Sequence, residues 1–372
     1  MGKQFKLLIN GLHAKSGGGV TYLRNILPFF AADEDIETHL CIHESQSEAF
    51  SDVFEGIVVH TMNFQSGFWR LPIYEQLLVP RLARDIAASV TFSPANYGPL
   101  FVRRQITMLR NAIGVAFIEK RISKIPYWLF VYLGTVLSLI FSRKVIAVSD
   151  FVTQTTGKLL PKICADKFLV IKHGVGDFYT PPKDGQPRED FILAVSDIYV
   201  QKNYDSLLLA VDKIKKKYPN VLLKIAGRKL DKGYYDVLQK IIVDRQMQEN
   251  VSFLGSVTQS ELSDLYRKCK FFVFPSLVES FGNPLIEAMA SGAPVASSNK
   301  AAMPEIVGSA ALFFDPQNIT EMASVLKRLC NDELLRDRLS EKSLQRAELF
   351  SWSKTAHATL EVIKKVAYEE GK

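Results

Sequence analysis

The chain has 372 residues, 47% hydrophobic and 23% charged, which excludes a disordered polymer and leaves room for two domains that each bury a core. Its net charge of +7 points to an anionic partner, and without a nucleic-acid-binding motif or a long basic run that partner is a membrane surface, not nucleic acid. Cys41, Cys164, Cys269 and Cys330 lack metal-ligand spacing and MGKQFKLLINGLH lacks the apolar run of a signal peptide, so a reducing, cytoplasmic setting is expected.

Phe5 to Asn10 reads as a strand, followed by Ser16-Gly17-Gly18-Gly19 and an apolar helical pattern from Val20 to Phe30. Strand, glycine loop and helix together let backbone amides approach a phosphate, although the glycine spacing is not the dinucleotide fingerprint and a plain turn is the alternative. From His39 to Thr91 short apolar runs alternate with helical stretches, as in a parallel sheet wrapped by helices. A further strand end opens onto a loop at Thr91 to Asn96, and Ile106 to Leu109 is a strand followed by Arg110 and Asn111. There is no internal repeat.

Ile125 to Phe141, IPYWLFVYLGTVLSLIF, is the most apolar run, with Arg121 and Lys124 before it and Arg143 and Lys144 after it. A true span would divide one sheet domain across a bilayer, so the choice lies between a buried helix and one lying in a membrane interface. Lys144 to Val148 and Phe168 to Lys172 are strands, the second closed by His173-Gly174, where His173 reads as a turn residue rather than a base. Residues 181–187, PPKDGQP, read as a linker, dividing a first domain over 1–182 from a second over 188–350.

The second half opens with a strand at Phe191 to Val195, then a loop containing Asp197, Gln201 and Lys202, then an amphipathic helix to Tyr218. Strands at Val221 to Ala226 and Val251 to Leu254 end near Arg228 and Gly255, candidates for phosphate and base contacts because strand carboxyl ends face the ligand crevice of a doubly wound sheet. The densest signal is FFVFPSLVESFGNPLIEAMASGAP, Phe271 to Pro294. A buried strand ends at Pro275, and Asn283-Pro284 reads as a helix start with Asn283 capping. Ser291-Gly292 and Pro294 end that helix. Glu279 and Glu287, with seven residues between them, flank the helix start. Ser280, Phe281, Gly282 and Asn283 lie at the positive end of its dipole, an anion site, and carboxylates beside it suit the hydroxyls of a nucleotide diphosphate sugar.

The block E-S-F-G-N-P-L-I-E followed by A-M-A-S-G-A-P-V resembles the retaining glycosyltransferases of the glycosyl transferases group 1 family (family four). The resemblance is strong over residues 191–360 and looser before them. It implies an α/β, GT-B architecture: two doubly wound, Rossmann-like domains facing a cleft, acceptor in the first and donor in the second, with residues 351–372 returning as a helix to the first. It implies metal-independent transfer of a hexose from a nucleotide sugar donor to a glycan or lipid-linked acceptor, in surface polysaccharide or lipopolysaccharide assembly.

By the same resemblance Glu279 and Lys202 are the catalytic candidates. Donor contacts fall to Gly18, Gly19, Lys202, Arg228, Gly255, Ser280, Phe281, Gly282, Asn283 and Glu287, with Glu287 on the ribose diol. Where many relatives carry a histidine, Arg110 or Asn111 stands, and these two are the acceptor candidates. Where relatives carry an arginine before the lysine, Asp197 or Gln201 stands, so the leaving-group site has one cation fewer. These departures motivate a rival reading, a GT-B-shaped binding or scaffold subunit without turnover. A nucleotide-sugar epimerase on the same architecture fits the block less well.

Overall fold

The computed structural model of the protein describes residues 5–369 except 16, 66, 68–69, 111–124, 159–165 and 183–186. They form two compact units. One takes residues up to 110, 125–174 and 351–369; the other takes 175–350. The expected linker at 181–187 thus lies largely outside the described residues, as does Asn111.

The first unit carries a seven-stranded parallel sheet: β1 (Phe5–Asn10), β2 (Ile36–His43), β3 (Val58–Met62), β4 (Val90–Ser93), β5 (Gln105–Leu109), β6 (Lys144–Ala147) and β7 (Phe168–Val170). Their order is β3-β2-β1-β4-β5-β6-β7, so the direction of winding reverses between β1 and β4, where Leu7 lies opposite Val90. The inner strands are apolar on both faces because helices cover both sides of a parallel sheet. Leu7, Leu8, Ile9, Phe92, Ile106 and Val145 are all fully buried. The helix Trp352–Tyr368 packs into this unit, with Thr355 Oγ1 donating to Lys172 O at 2.8 Å and the Thr359 hydroxyl 3.3 Å from that of Tyr22. His173 is buried between Tyr22 and Trp352, its ring stacked on the indole at 5.7 Å.

The run Ile125–Phe141 is a helix and, of the two alternatives left open, it is not one buried on all sides. Ile125, Leu129, Leu133, Leu137, Ile140 and Phe141 are exposed, whereas Thr135, Ser138 and Ser142 are buried. Its few hydroxyls satisfy themselves inward, and hydrophobicity alone does not reveal which side faces the sheet. Among the described residues no helix is long and apolar enough to cross a membrane.

The second unit holds six parallel strands: β8 (Ile192–Val195), β9 (Leu223–Ala226), β10 (Val251–Gly255), β11 (Phe271–Phe274), β12 (Val295–Ser298) and β13 (Ala311–Phe314), in the order β10-β9-β8-β11-β12-β13. Its reversal falls between β8 and β11. Leu207, Leu208 and Val211 of the helix Tyr204–Lys215 pack with Leu326 and Leu329 of the helix Ile319–Asn331 and with Ile192, Phe271 and Val273 of the sheet. The loops leaving the carboxyl ends of β8 and β11 therefore emerge side by side from a rigid, fully apolar base.

Candidate active site

The loop after β8 is shaped by its backbone. Gly227 at the end of β9 has φ 152, and a Cβ there would stand 1.9 Å from Ser196 O, so only glycine lets the two strand ends approach this closely. Ser196 N donates to Ala226 O at 3.0 Å and Ile198 N to Arg228 O at 2.9 Å. A single turn at Val200–Lys202 then ends at Asn203, which is left-handed at φ 59. The Asn203 amide stabilises that conformation by donating to Pro275 O at 3.1 Å and Pro316 O at 2.8 Å, while Leu277 N donates to Gln201 O at 2.9 Å. Asparagine tolerates the left-handed region better than other side chains with a Cβ.

This stitching brings Lys202 to Glu279. The ammonium donates to Glu279 Oε1 at 2.6 Å, with the side chains 14% and 15% exposed, and lies 5.8 Å from the centre of the Phe274 ring. A cation and an anion so placed at the winding reversal of a parallel sheet, where such sheets bind ligands, are shielded from bulk water but reachable from it. Charge-assisted hydrogen bonds of this length are strong, so an incoming anion must compete with Glu279 for the lysine or bridge to both.

The helix Asn283–Ala290 begins beside them. Asn283 is its first residue and not, as expected, its cap: Gly282 holds the cap position at φ 93, and no side chain caps the turn. A Cβ on Gly282 would stand 3.1 Å from Leu285 Cδ1 and 3.4 Å from Phe274 Cε1, besides meeting an unfavourable φ. Pro284 occupies an early position where its missing N–H costs no helical bond. Ser280 and Phe281 are buried, the phenyl ring edge-on to Phe350, so Phe281 serves this loop as packing and backbone.

Glu287, one turn in, accepts from the Tyr266 hydroxyl at 3.0 Å. Burial pushes its carboxyl up to about 7, against the opposing hydrogen bonds from Tyr266 and Tyr179. Near neutrality it is balanced between a neutral acid and a carboxylate. Arg228 is fastened to Asp197: its Nη2 donates to Oδ2 at 2.6 Å and its Nε to Oδ1 at 3.1 Å. Partial burial works to raise the Asp197 carboxyl, yet the bonds from Arg228 outweigh it and hold it below its ordinary value. Gly255, left-handed at φ 70 with open space where a Cβ would point, ends β10 and accepts from Gly227 N at 2.8 Å.

In the first unit the corresponding reversal, between β1 and β4, carries a group that sequence reasoning missed. Glu75, on the helix Arg70–Asp85, is fully buried; its Oε1 accepts from Asn10 Nδ2 at 2.5 Å and lies 2.9 Å from His13 Nε2. Asn10 also donates to Ser93 Oγ at 3.2 Å, and Tyr97 meets the His13 ring edge-on at 4.7 Å. Among the described residues Glu75 Oε2 and Asn10 Oδ1 are buried without a hydrogen-bond partner. Orphaned acceptors on two side chains that are hydrogen-bonded to each other call for a donor from outside the chain, such as a hydroxyl or water.

Of the residues expected in this half, Gly18 and Gly19 open the helix Gly18–Ala31, and a Cβ on Gly19 would stand 2.9 Å from Arg110 Nη1. The glycine therefore makes room for Arg110. Burial lowers that guanidinium to about 10, which leaves it cationic at neutral pH; its Nη1 donates to Pro94 O at 3.2 Å and its backbone N to Asn96 Oδ1 at 2.9 Å. Gly19, Arg110 and the loop after β4 are thus one cluster, and Lys202, Glu279 and the Gly282 turn are another. Each is complete within its own unit.

The sequence and the fold both find relatives. Residues 180–346 match the family model described as glycosyl transferases group 1. The serotype-specific mannosyltransferase WbdA of Escherichia coli is 32% identical over 54% of this chain and 26% of its own length. The O-antigen chain mannosyltransferase B of the same species is 28% identical over 61% of this chain and 62% of its own length. The chain thus spans about a quarter of the one and less than two thirds of the other. Anabaena HepE, solved in complex with UDP-glucose, aligns over 97% of this chain and 100% of its own with a TM-score of 0.77 at 17% identity, a likeness of fold. The two Rossmann-like parallel sheets are of the GT-B kind, and the Glu279 to Glu287 block lies inside the segment that matches the glycosyl transferases group 1 model.

Proposed function

We propose that this chain is a retaining glycosyltransferase that moves a hexose from a nucleotide diphosphate sugar to a hydroxyl of a glycan or lipid-linked acceptor in surface polysaccharide or lipopolysaccharide assembly. The observation that carries the reading is the Lys202–Glu279 pair beside the Gly282 turn, at the winding reversal of the second sheet. Because the matched relatives are named mannosyltransferases, mannose is the first sugar to test.

In this reading the diphosphate draws Lys202 away from Glu279 and rests at the positive end of the helix Asn283–Ala290, with Ser280, Phe281 and Asn283 contributing backbone and Arg228 and Gly255 at the outer margin. The bond from C1 of the sugar to the diphosphate breaks, and a bond from C1 to the acceptor oxygen forms on the same face. The acceptor proton passes to the departing phosphate oxygen, so no protein nucleophile is required. Lys202 and the helix dipole take up the negative charge that develops on the leaving group, without a metal. Glu279, released from the lysine, holds a sugar hydroxyl and favours the cationic ring. Glu287, near its titration point, takes the ribose diol.

The first unit supplies acceptor contacts in this reading. His13, the orphaned oxygens of Glu75 and Asn10, and Asn111 by its chemistry suit a sugar hydroxyl, while Arg110 and the Gly18–Gly19 turn suit a phosphate or carboxylate. The free thiols of Cys41, Cys269 and Cys330 suit a reducing, cytoplasmic setting.

The test is nucleotide release and glycan transfer across a panel of nucleotide sugars, with the anomeric configuration of the product read by NMR. Transfer with retention is expected. A donor that raises the melting temperature but is never turned over would favour a binding subunit, a reading suggested by Asp197 or Gln201 standing where an arginine is expected and Arg110 or Asn111 where a histidine is.

A further inference from the structure

The helix Ile125–Phe141 is built inside out, and neither the sheet nor the proposed reaction explains its outer face. Its polar side chains point inward. Ser138 Oγ exchanges hydrogen bonds with Gly98, accepting from its N at 3.1 Å and donating to its O at 3.2 Å. The Ser142 hydroxyl lies 2.7 Å from that of Thr107 on β5. Outward, Leu129, Leu133 and Leu137 recur at the four-residue spacing of one helix face and continue into Ile140 and Phe141, all exposed.

That ridge has neighbours of the same kind. The loop tied to Ser138 is tied on its other side to the helix Arg70–Asp85, where Gln76 accepts from Leu100 N at 2.8 Å and donates to Gly98 O at 3.2 Å. On either side of Gln76, Ile73 and Leu77 are exposed, and Phe101, next in the loop, is 76% exposed. Exposed apolar side chains on two helices, and on the loop hydrogen-bonded to both, mark an interaction site, because isolated exposed side chains are common but such groupings are not.

Charge identifies the partner. Residues 95–149 contain eight basic side chains and one acidic, Glu119, a balance of +7 that equals the net charge of the whole chain. Of these, Arg103 and Arg143 are exposed; outside that stretch, Lys167 donates to Ile140 O, at the carboxyl end of the helix, at 2.6 Å. An apolar ridge with no carboxylate in the helix itself, flanked by the exposed Arg103 and by Arg143, whose guanidinium also meets Glu369 Oε2 at 3.2 Å, is what an anionic bilayer accepts: aliphatic side chains enter the acyl boundary and basic ones meet the headgroups. A folded protein partner would need carboxylates to match. We propose that the outer face of the helix Ile125–Phe141, with Phe101, Ile73 and Leu77, docks this chain onto an anionic phospholipid surface.

The experiment is vesicle flotation of the full chain at low salt, with phosphatidylcholine alone or mixed with phosphatidylglycerol. The bound fraction should be roughly tenfold higher with phosphatidylglycerol and should fall as salt is raised. The combined variant Leu129→Gln, Leu133→Gln and Leu137→Gln should lower it by about tenfold or more at an unchanged melting temperature and donor turnover. Hydrogen exchange of the unaltered chain needs no variant: vesicles should slow exchange over Ile125–Phe141. Wild-type protein that stays lipid-free, a triple variant that floats as well as wild type, or protection confined to other segments would each overturn the proposal. So would a dimer by light scattering that the triple variant converts to monomer, because the ridge would then belong to a second copy.

Discussion

The two sheets reverse their winding in the same way, after the first strand and beside the fourth, yet what they hold at that point differs. In the second unit the partners are Lys202 and Glu279, both on loops and each about one-seventh exposed. In the first they are Asn10 at the end of β1, His13 in the loop that follows and Glu75 on a helix, the carboxylate fully buried with one oxygen orphaned among the described residues. A loop-borne cation near solvent changes partner readily when an anion arrives. A buried carboxylate held by two neighbours does not move, and it selects for whatever donates to its vacant oxygen. The same topology thus supports a site that exchanges charge and a site that recognises hydroxyls.

The largest expected effect lies in the second unit. Glu279→Ala should lower kcat by about a hundredfold or more, as loss of one preorganised polar group typically does. Wild-type turnover in that variant would break the comparison at its stronger end. A comparable free-energy effect is expected in stability at Glu287. Its carboxyl sits near 7 in the folded chain against an ordinary value of 4.5, so the unfolded chain gives up its proton first as pH rises. The folded state's advantage is full below about 4.5 and is lost through about 7, a decline of about 3 kcal/mol. Urea titrations at several pH values should show that decline in wild type relative to Glu287→Gln, and parallel curves would refute the burial of this acid.

His13→Ala sharpens the other side. Removing one hydrogen-bonding group from the acceptor region should raise the acceptor KM about tenfold and leave donor hydrolysis unchanged. If donor hydrolysis falls instead, the two clusters are not divided by substrate. The smallest effect is assigned to Arg228→Ala: with its guanidinium exposed and already paired with Asp197, donor KM should rise only about threefold.

What could be read from the sequence was what lies close together in it. The block from Phe271 to Pro294 carries its strand, turn, helix and both carboxylates in one ungapped stretch, and inner strands such as β1, β5, β8 and β11 follow from apolar runs stopped by loops, whereas the edge strand β3, VVHTM, with two exposed residues, shows no such run. The Glu75 cluster joins residues 62 and 65 positions apart, a separation that no local pattern reveals. One signal was available: Glu75 occupies the buried face of its helix, in register with Leu71 and Val79, where a carboxylate needs a partner. The pairing of Arg228 with Asp197 spans 31 positions and was hidden for the same reason. For Ile125–Phe141 the run fixed the helix but not its orientation, because three inward hydroxyls decided that. The misplaced cap at Asn283 shows a local rule overruled, since packing against Phe274 and Leu285 demanded glycine one position earlier.

The central claim is that Lys202 and Glu279 act as one unit on the donor. It is tested most directly by a double-mutant cycle on transfer rate, with Lys202→Met, Glu279→Gln and the two combined. Each single change should lower kcat about a hundredfold, and the combination should fall little further, because Glu279 without its lysine repels the diphosphate and its removal then relieves that repulsion. A combined loss equal to the product of the two single losses would show that the residues act independently and contradict the account.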